Sequence, residues 1–285
     1  MTGSSCCPIE ACRLWWFHPW RWPILALLSL LISLSASAHE GLQHQLAQAD
    51  ERIAAEPTSA DALLARARLF QHGQLYGFAL RDLDAADALQ PGLRPVAFVR
   101  AQVHRDQGDW ARAESVWLIW SQGGKPTIPG FKLLADVYEA TARPDAALNA
   151  LDEAVALGAG PDTALRRARL AASLNLMDRA CSGLLADADR LGAVVLRLEL
   201  YRLELSRGRA DAAIAQASSL LATMPNNPDW LLLRAQAHRA AGHHQQADQD
   251  LERALAQLTD QIAVRPTPQR LAAREAISQA MERSP

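Results

Sequence analysis

The chain has 285 residues, 49% of them hydrophobic and 21% charged, with a formal net charge of −2 at pH 7. That balance excludes a disordered tail, because it supplies enough apolar surface for a core. It also gives no overall electrostatic pull toward nucleic acid. Half of the eight Trp residues (Trp15, Trp16, Trp20 and Trp22) crowd the N-terminus, and the rest of the chain is dominated by helix-forming residues.

Residues 1–38 read as a signal peptide. Arg13 and Arg21 supply positive charge, residues 24–34 form an uncharged apolar run, and residues 35–38 end in an A-x-A pattern. Cleavage after Ala38 makes His39 the mature N-terminus and delivers the rest by export. The alternative is an uncleaved signal anchor, since residues 14–34 nearly suffice to span a bilayer. No cysteine directly follows the apolar run, which speaks against lipid attachment. The leader also carries Cys6, Cys7 and Cys12, so its removal leaves Cys181 alone. An exported chain with one cysteine has no internal disulfide and must rely on packing. Cys181, in the stretch LNLMDRACSGLLADA, reads as a small buried residue rather than a nucleophile.

Residues 39–56 predict a first helix, with Leu42, Leu46, Ala49 and Ile53 on one face and Pro57 at its end. Beyond it the sequence repeats. VRAQVHRDQGDWARA (99–113) returns far downstream as LRAQAHRAAGHHQQA (233–247). A near-constant step connects Arg66-Ala67, Arg100-Ala101, Leu134-Ala135, Arg167-Ala168, Leu200-Tyr201 and Arg234-Ala235. The two copies are therefore the second and sixth of six repeats over residues 57–259. A regular period of this size marks a solenoid, in which each repeat buries its apolar face against its neighbours.

Each repeat reads as two helices. In the first, apolar residues recur at helical spacing from Leu63 to Leu69, a Gly breaks the run, and Ala79, Leu83 and Ala86 form one face of a second helix that ends at Pro91. The sixth repeats this plan with Leu231, Ala235, Gly242, Ala247, Leu251 and Ala254. The third does so with Phe131, Ala135, Tyr138, Ala147, Leu151 and Ala154. The chain thus resembles the tetratricopeptide repeat family, whose helix-turn-helix repeat is about 34 residues long, and among its members exported bacterial proteins. The second repeat departs from the pattern with Trp120 in place of a small Ala. The fourth departs further, with Asp187 at that place and no turn Gly. The resemblance implies an all-α fold: a right-handed α-solenoid of about six tetratricopeptide-like helix-turn-helix units with capping helices.

Two further segments punctuate the array. Residues 121–130, SQGGKPTIPG, carry two Gly and two Pro and predict the one long internal loop, a joint or binding loop. Residues 260–285 predict a C-terminal cap. There RPTP (265–268) breaks the chain before an amphipathic helix over 269–282 with Leu271, Ala276, Ile277 and Ala280. Arrays need such ends to shield their terminal apolar faces.

Catalytic signals are absent from the sequence. GGKPT (123–127) lacks the leading Gly of a phosphate loop, and its Lys is followed by Pro. In HEGLQH (39–44) the histidines are five positions apart, about 140° round a helix, and cannot share one face for zinc. A mature N-terminal His39 could bind copper through its amine and ring. His238, His243 and His244 read as solvated turn histidines. The expectation is a non-enzymatic protein without a cofactor, and metal handling through His39 and the turn histidines is the alternative from another class.

By the resemblance, the outward faces of the first helices line a concave groove for an extended peptide or a helix. Carried over repeat by repeat, that face comprises Arg68, Gln71, Gln102, Arg105, Lys132, Asp136, Arg166, Arg169, Arg202, Gln236 and Arg239. This mostly basic stripe would suit an acidic segment or a C-terminal carboxylate of a partner protein. Its bland reading is that Arg is a good exposed helix former. Arg66, Arg100, Arg167 and Arg234 instead face the partner helix. Pairing with Asp82 and Asp250, which stand at the same offset on their second helices, accounts for the first and last of them. Trp110, Trp117 and Trp120 read as core. The functional expectation is a periplasmic protein-binding scaffold, or a membrane-anchored assembly factor if the leader is retained.

Overall fold

The computed structural model describes residues 41–282 apart from Gly123 and Pro126. The signal-peptide reading and His39 lie outside the described residues. The described chain is helical throughout. It runs α1 (41–55), α2 (Ala60–His72), α3 (Tyr76–Leu89), α4 (Arg94–Asp106), α5 (Trp110–Gln122), α6 (Ile128–Ala140), α7 (Pro144–Ala156), α8 (Pro161–Ser173), α9 (Met177–Leu191), α10 (Val194–Ser206), α11 (Ala210–Thr223), α12 (Pro228–Ala240), α13 (His244–Val264) and α14 (Pro268–Glu282). The even-numbered helices α2 to α12 begin at Ala60, Arg94, Ile128, Pro161, Val194 and Pro228, which reproduces the period of the sequence. The chain divides into two compact units, with the boundary between Val103 and His104, inside α4.

Each repeat closes by bringing two helices together over small residues. The third position after the start of each second helix is Ala79, Ala113, Ala147, Ala180, Ala213 or Ala247, none more than 1% exposed. A methyl group there lets the paired helix approach closely. Around it the larger side chains interlock. In the first compact unit Leu63, Leu64, Leu83, Val96, Val99 and Val103 form one core. In the second, Leu148, Leu184, Leu196 and Leu200 form the central cluster, and Leu231, Leu251, Leu258 and Ile277 the C-terminal one.

The turns inside the repeats share one geometry. Residues 74, 108, 142, 175, 208 and 242 all lie in the left-handed region, with φ between 56° and 77°. The next residue's N–H donates to the carbonyl five positions back, as in Leu75 to Phe70 (2.8 Å), Arg143 to Tyr138 (2.8 Å) and Leu176 to Ala171 (2.9 Å). This is a Schellman closure, which satisfies the last carbonyls of the first helix. The missing turn Gly of repeat four is replaced by Asn175, a residue that tolerates this conformation. In repeat one the turn residue is Gln74 rather than Gly73. Gly73 instead makes room for Leu42 of α1, whose Cδ2 lies 2.6 Å from where a Cβ would stand.

The expected loop over 121–130 is shorter than the sequence suggested. Ser121 and Gln122 end α5, and Ile128, Pro129 and Gly130 already form the first turn of α6. Thr127 caps that helix by accepting a hydrogen bond from the Gly130 N–H (3.3 Å). Pro belongs in a first turn, where its missing N–H costs nothing. Gly130 is a packing residue: an added Cβ would stand 2.7 Å from Trp120 Cζ3. Trp120, 7% exposed, thus fills the site that Ala86, Ala154 and Ala254 hold elsewhere, because the facing residue has shrunk to Gly. Trp117, also buried, stacks obliquely on Trp120 and Phe131, with ring centroids 6.4 and 6.0 Å away.

The inward-facing arginines are all paired. Arg66 makes a bidentate contact with buried Asp82 (2.7 Å each) and a further bond to Asp50 of α1 (2.7 Å). Arg234 forks onto Asp250 in the same way (2.7 and 2.6 Å). Arg100 turns to the preceding second helix, where it meets Asp84 and Asp87 (3.8 Å to the latter). Arg167 bridges Asp152 of the preceding helix (3.5 Å) and Asp187 of its own repeat (2.9 Å). Asp50, Asp84 and Asp152 share one register, and through it Arg66 and Arg167 are held from both sides. Asp82 draws the Arg66 pKa above its ordinary value by hydrogen bonding, against the opposing effect of burial.

The ends are closed by α1, which buries Leu46 and Ala49 with Leu42 and Ile53 half-buried, and by α14. In α14 the packed face is Ala273, Ile277 and Met281, at spacings of four. Leu271 and Ala276, expected on that face, are exposed, since they fall to either side of it. No helix among the described residues is long and apolar enough to cross a membrane.

Candidate partner-binding face

Helical spacing brings most of the second unit's expected site residues onto one face. On α6, Lys132 and Asp136 are four apart, with Glu139 three further on. On α8, Asp162, Arg166, Arg169 and Ser173 follow the same rhythm, and on α10 Glu199 and Arg202 do so. Asp136 accepts hydrogen bonds from Arg105 (3.0 Å) and Arg166 (2.6 Å), which ties α4, α6 and α8 together. Arg166 also donates to Glu139 (3.0 Å). Burial works against its charge, but the two carboxylates outweigh that and raise its pKa.

A second cluster follows on α8 and α10. Glu199 accepts from Arg169 (3.1 Å) and lies 3.6 Å from Arg202. The Glu199 side chain is 14% exposed, whereas those of Arg169 and Arg202 are 60% and 71% exposed. Two cations thus share one carboxylate and keep their outer N–H groups in water. Hydrogen bonding to Glu199 holds the Arg169 pKa above its ordinary value. Beside this cluster an open depression of about 470 Å³ is lined by Leu165, Leu170, Arg166, Arg169, Glu139 and Ser173. Two leucines stand among charged side chains in its lining, the mixed composition of a small recognition surface.

The remaining expected residues make none of these contacts. Lys132 and Gln236 are exposed. Arg239 reaches Asp248 of α13 (3.4 Å). In the first compact unit Arg68 is exposed, and Gln71 and Gln102 are half-buried. Sequence reasoning missed Glu139, Asp162 and Glu199, which alternate with the arginines. Glu139 stands three residues from Asp136, Glu199 three from Arg202 and Asp162 four from Arg166, and these offsets were the available signal.

The described residues show no cluster of three or more His, Cys, Asp or Glu side chains placed to hold a metal ion. Cys181 is buried, its Sγ accepts a hydrogen bond from Arg207 Nη1 (3.3 Å), and burial pushes its thiol pKa up. A low-pKa nucleophile needs the opposite environment.

No protein-family model and no curated protein sequence matches the chain. Solved structures do. The C-terminal part of a TPR repeat-containing protein from Cytophaga hutchinsonii aligns with a TM-score of 0.58 at 10% identity, over 83% of this chain and 95% of that one. PilF of Pseudomonas aeruginosa aligns with a TM-score of 0.52 at 20% identity, over 72% of this chain and 95% of that one. A chain of the APC/C Cut9–Hcn1 assembly aligns with a TM-score of 0.46 at 15% identity, and there this chain covers only 47% of the other's length. With its six regularly spaced helix pairs, the chain has the tetratricopeptide-repeat fold, an all-α solenoid.

Proposed function

We propose that the protein is a non-enzymatic scaffold of the periplasm that binds an extended segment or helix of a partner protein along its first helices. The observation that carries the reading is the Arg169–Glu199–Arg202 cluster: two exposed guanidinium groups, positioned by one sheltered carboxylate, beside an open depression that includes Leu165 and Leu170. Fixing a cation with an internal anion lowers the ordering cost of using it in recognition. The one positive charge that Glu199 leaves unbalanced in this cluster suits an acidic segment or a terminal carboxylate. The signal-peptide pattern of residues 1–38 supports export. Retention of that leader gives the second reading, an anchored assembly factor facing the same compartment.

Affinity capture from periplasmic extract tests this, with wild type beside a variant carrying Arg166→Glu, Arg169→Glu and Arg202→Glu. A partner held by wild type and released by the still-helical variant supports the face. Equal capture by both moves the site elsewhere on the molecule.

A further inference from the structure

The turn between α12 and α13 sets two imidazoles side by side at a tilt. His238, on the last turn of α12, and His243, the N-cap of α13, have Nδ1 atoms 3.5 Å apart, ring centroids 5.7 Å apart and planes inclined by 52°. The backbone fixes this arrangement, because the His243 N–H donates to the His238 carbonyl (2.8 Å) across the left-handed Gly242 (φ 77°). For two ring nitrogens, 3.5 Å is the outer limit of a hydrogen bond. It is close to the span of two nitrogens on one tetrahedral ion, about 3.3–3.4 Å for metal–nitrogen bonds of 2.0–2.1 Å. Neither ring makes another hydrogen bond among the described residues. His243 is exposed and His238 half-buried, so an ion can enter from solvent.

We propose that His238 and His243 chelate one borderline divalent cation, Zn²⁺ or Cu²⁺, through their Nδ1 atoms, with water filling the remaining positions. Imidazole suits these ions, whereas Mg²⁺ and Ca²⁺ require oxygen ligands. Burial works against positive charge at His238 and keeps its ring neutral, the form that binds a metal, while the nearby carboxylates of Asp250 and Asp211 favour a cation beside it; Arg234, which opposes one, is forked onto Asp250. The ion pins the end of α12 to the start of α13 and so stabilises the last repeat. The site is independent of the scaffold face and stands or falls separately from it.

The test uses purified, tag-free protein titrated calorimetrically with Zn²⁺ alone, followed by thermal melts with and without the ion. The expected result is one ion per chain and a raised Tm in wild type. Affinity should fall at least tenfold in His238→Ala and in His243→Ala, with His44→Ala unchanged. Electron paramagnetic resonance of the Cu²⁺ form should show two imidazole nitrogens, reduced to one in each single variant. Should His238→Ala perturb the helical circular dichroism, His238→Gln preserves bulk and a polar tip without the ring. An absence of Zn²⁺ and Cu²⁺ binding in wild type, or undiminished binding by the double variant, overturns the proposal.

Discussion

Arg167 reaches Asp187 across Gly183. The arginine Nη2 lies 2.9 Å from Asp187 Oδ2, and a Cβ on Gly183 would stand on top of that same nitrogen. Repeats one and six place their aspartate at the position Gly183 occupies, as Asp82 and Asp250. In repeat four the carboxylate has moved one helical turn further, and Gly opens the path to it. Arg190 completes the site with a 2.8 Å bond to the other Asp187 oxygen.

Gly183→Ala should therefore destabilise the protein. Helix propensity alone favours Ala over an interior Gly by about 1 kcal/mol. Displacing Arg167 leaves Asp187 short of a partner in a nearly dry site, and breaking a buried pair costs about 3–5 kcal/mol. Arg190 remains, so a net loss of about 1–2 kcal/mol is expected in urea denaturation. A gain in stability would show that Arg167 can pass by another route.

Gly130 and Trp120 form a second such pair. With Cζ3 only 2.7 Å from the would-be Cβ, Gly130→Ala should cost about 1–3 kcal/mol by overpacking. The same change made in a Trp120→Leu background should be neutral or mildly stabilising. A double-mutant cycle by urea denaturation measures the coupling, and additive effects would refute the steric account.

Ala142 occupies the left-handed turn position at φ 56°, where three other repeats have Gly. The conformation costs a non-Gly residue about 1–2 kcal/mol. Gly loses more chain entropy on folding, about 0.5–1 kcal/mol. Ala142→Gly should accordingly raise stability by several tenths of a kcal/mol to about 1 kcal/mol, and Gly208→Ala should lower it. The two urea midpoints must move in opposite directions.

The period was readable because the first helices keep Arg-Ala or a near variant at one place, from Arg66-Ala67 to Arg234-Ala235, and the second helices an Ala, from Ala79 to Ala247. The turns were less so. Sequence marks a left-handed residue only when it is Gly or Asn, and the register forces Gln74 and Ala142 into the same conformation. The loop over 121–130 was overestimated because Pro and Gly at a helix start look like loop residues until Trp120 shows what Gly130 faces. The pairing of Arg66 with Asp82 and of Arg234 with Asp250 was legible from their common offset. The partners of Arg100 and Arg167 were not, since Asp84, Asp87 and Asp152 lie across the joint between repeats and Asp187 stands one helical turn beyond the common offset. On the outer face, cations are conspicuous in the sequence, but the carboxylates that position them, Glu139 and Glu199, emerge only when neighbouring first helices are placed side by side.

A last pair ties neighbouring repeats and carries a pH signature. Arg143 forks onto Glu114 (3.0 and 2.6 Å) and lies over the Tyr138 ring, 4.5 Å from its centroid. The Arg143 hydrogen bonds, against the opposing effect of burial, hold the Glu114 carboxyl below its ordinary pKa. A depressed carboxylate stabilises the fold above its unfolded-state pKa, about 4.3 for glutamate. That contribution is lost as the pH falls from there through the folded-state value. Glu114→Gln removes the titration while keeping an acceptor for Arg143. Wild type should therefore be the more stable at pH 7, and the difference in urea midpoint should shrink steadily below about pH 4. A difference that stays constant with pH would mean that shape rather than charge accounts for the pair's effect.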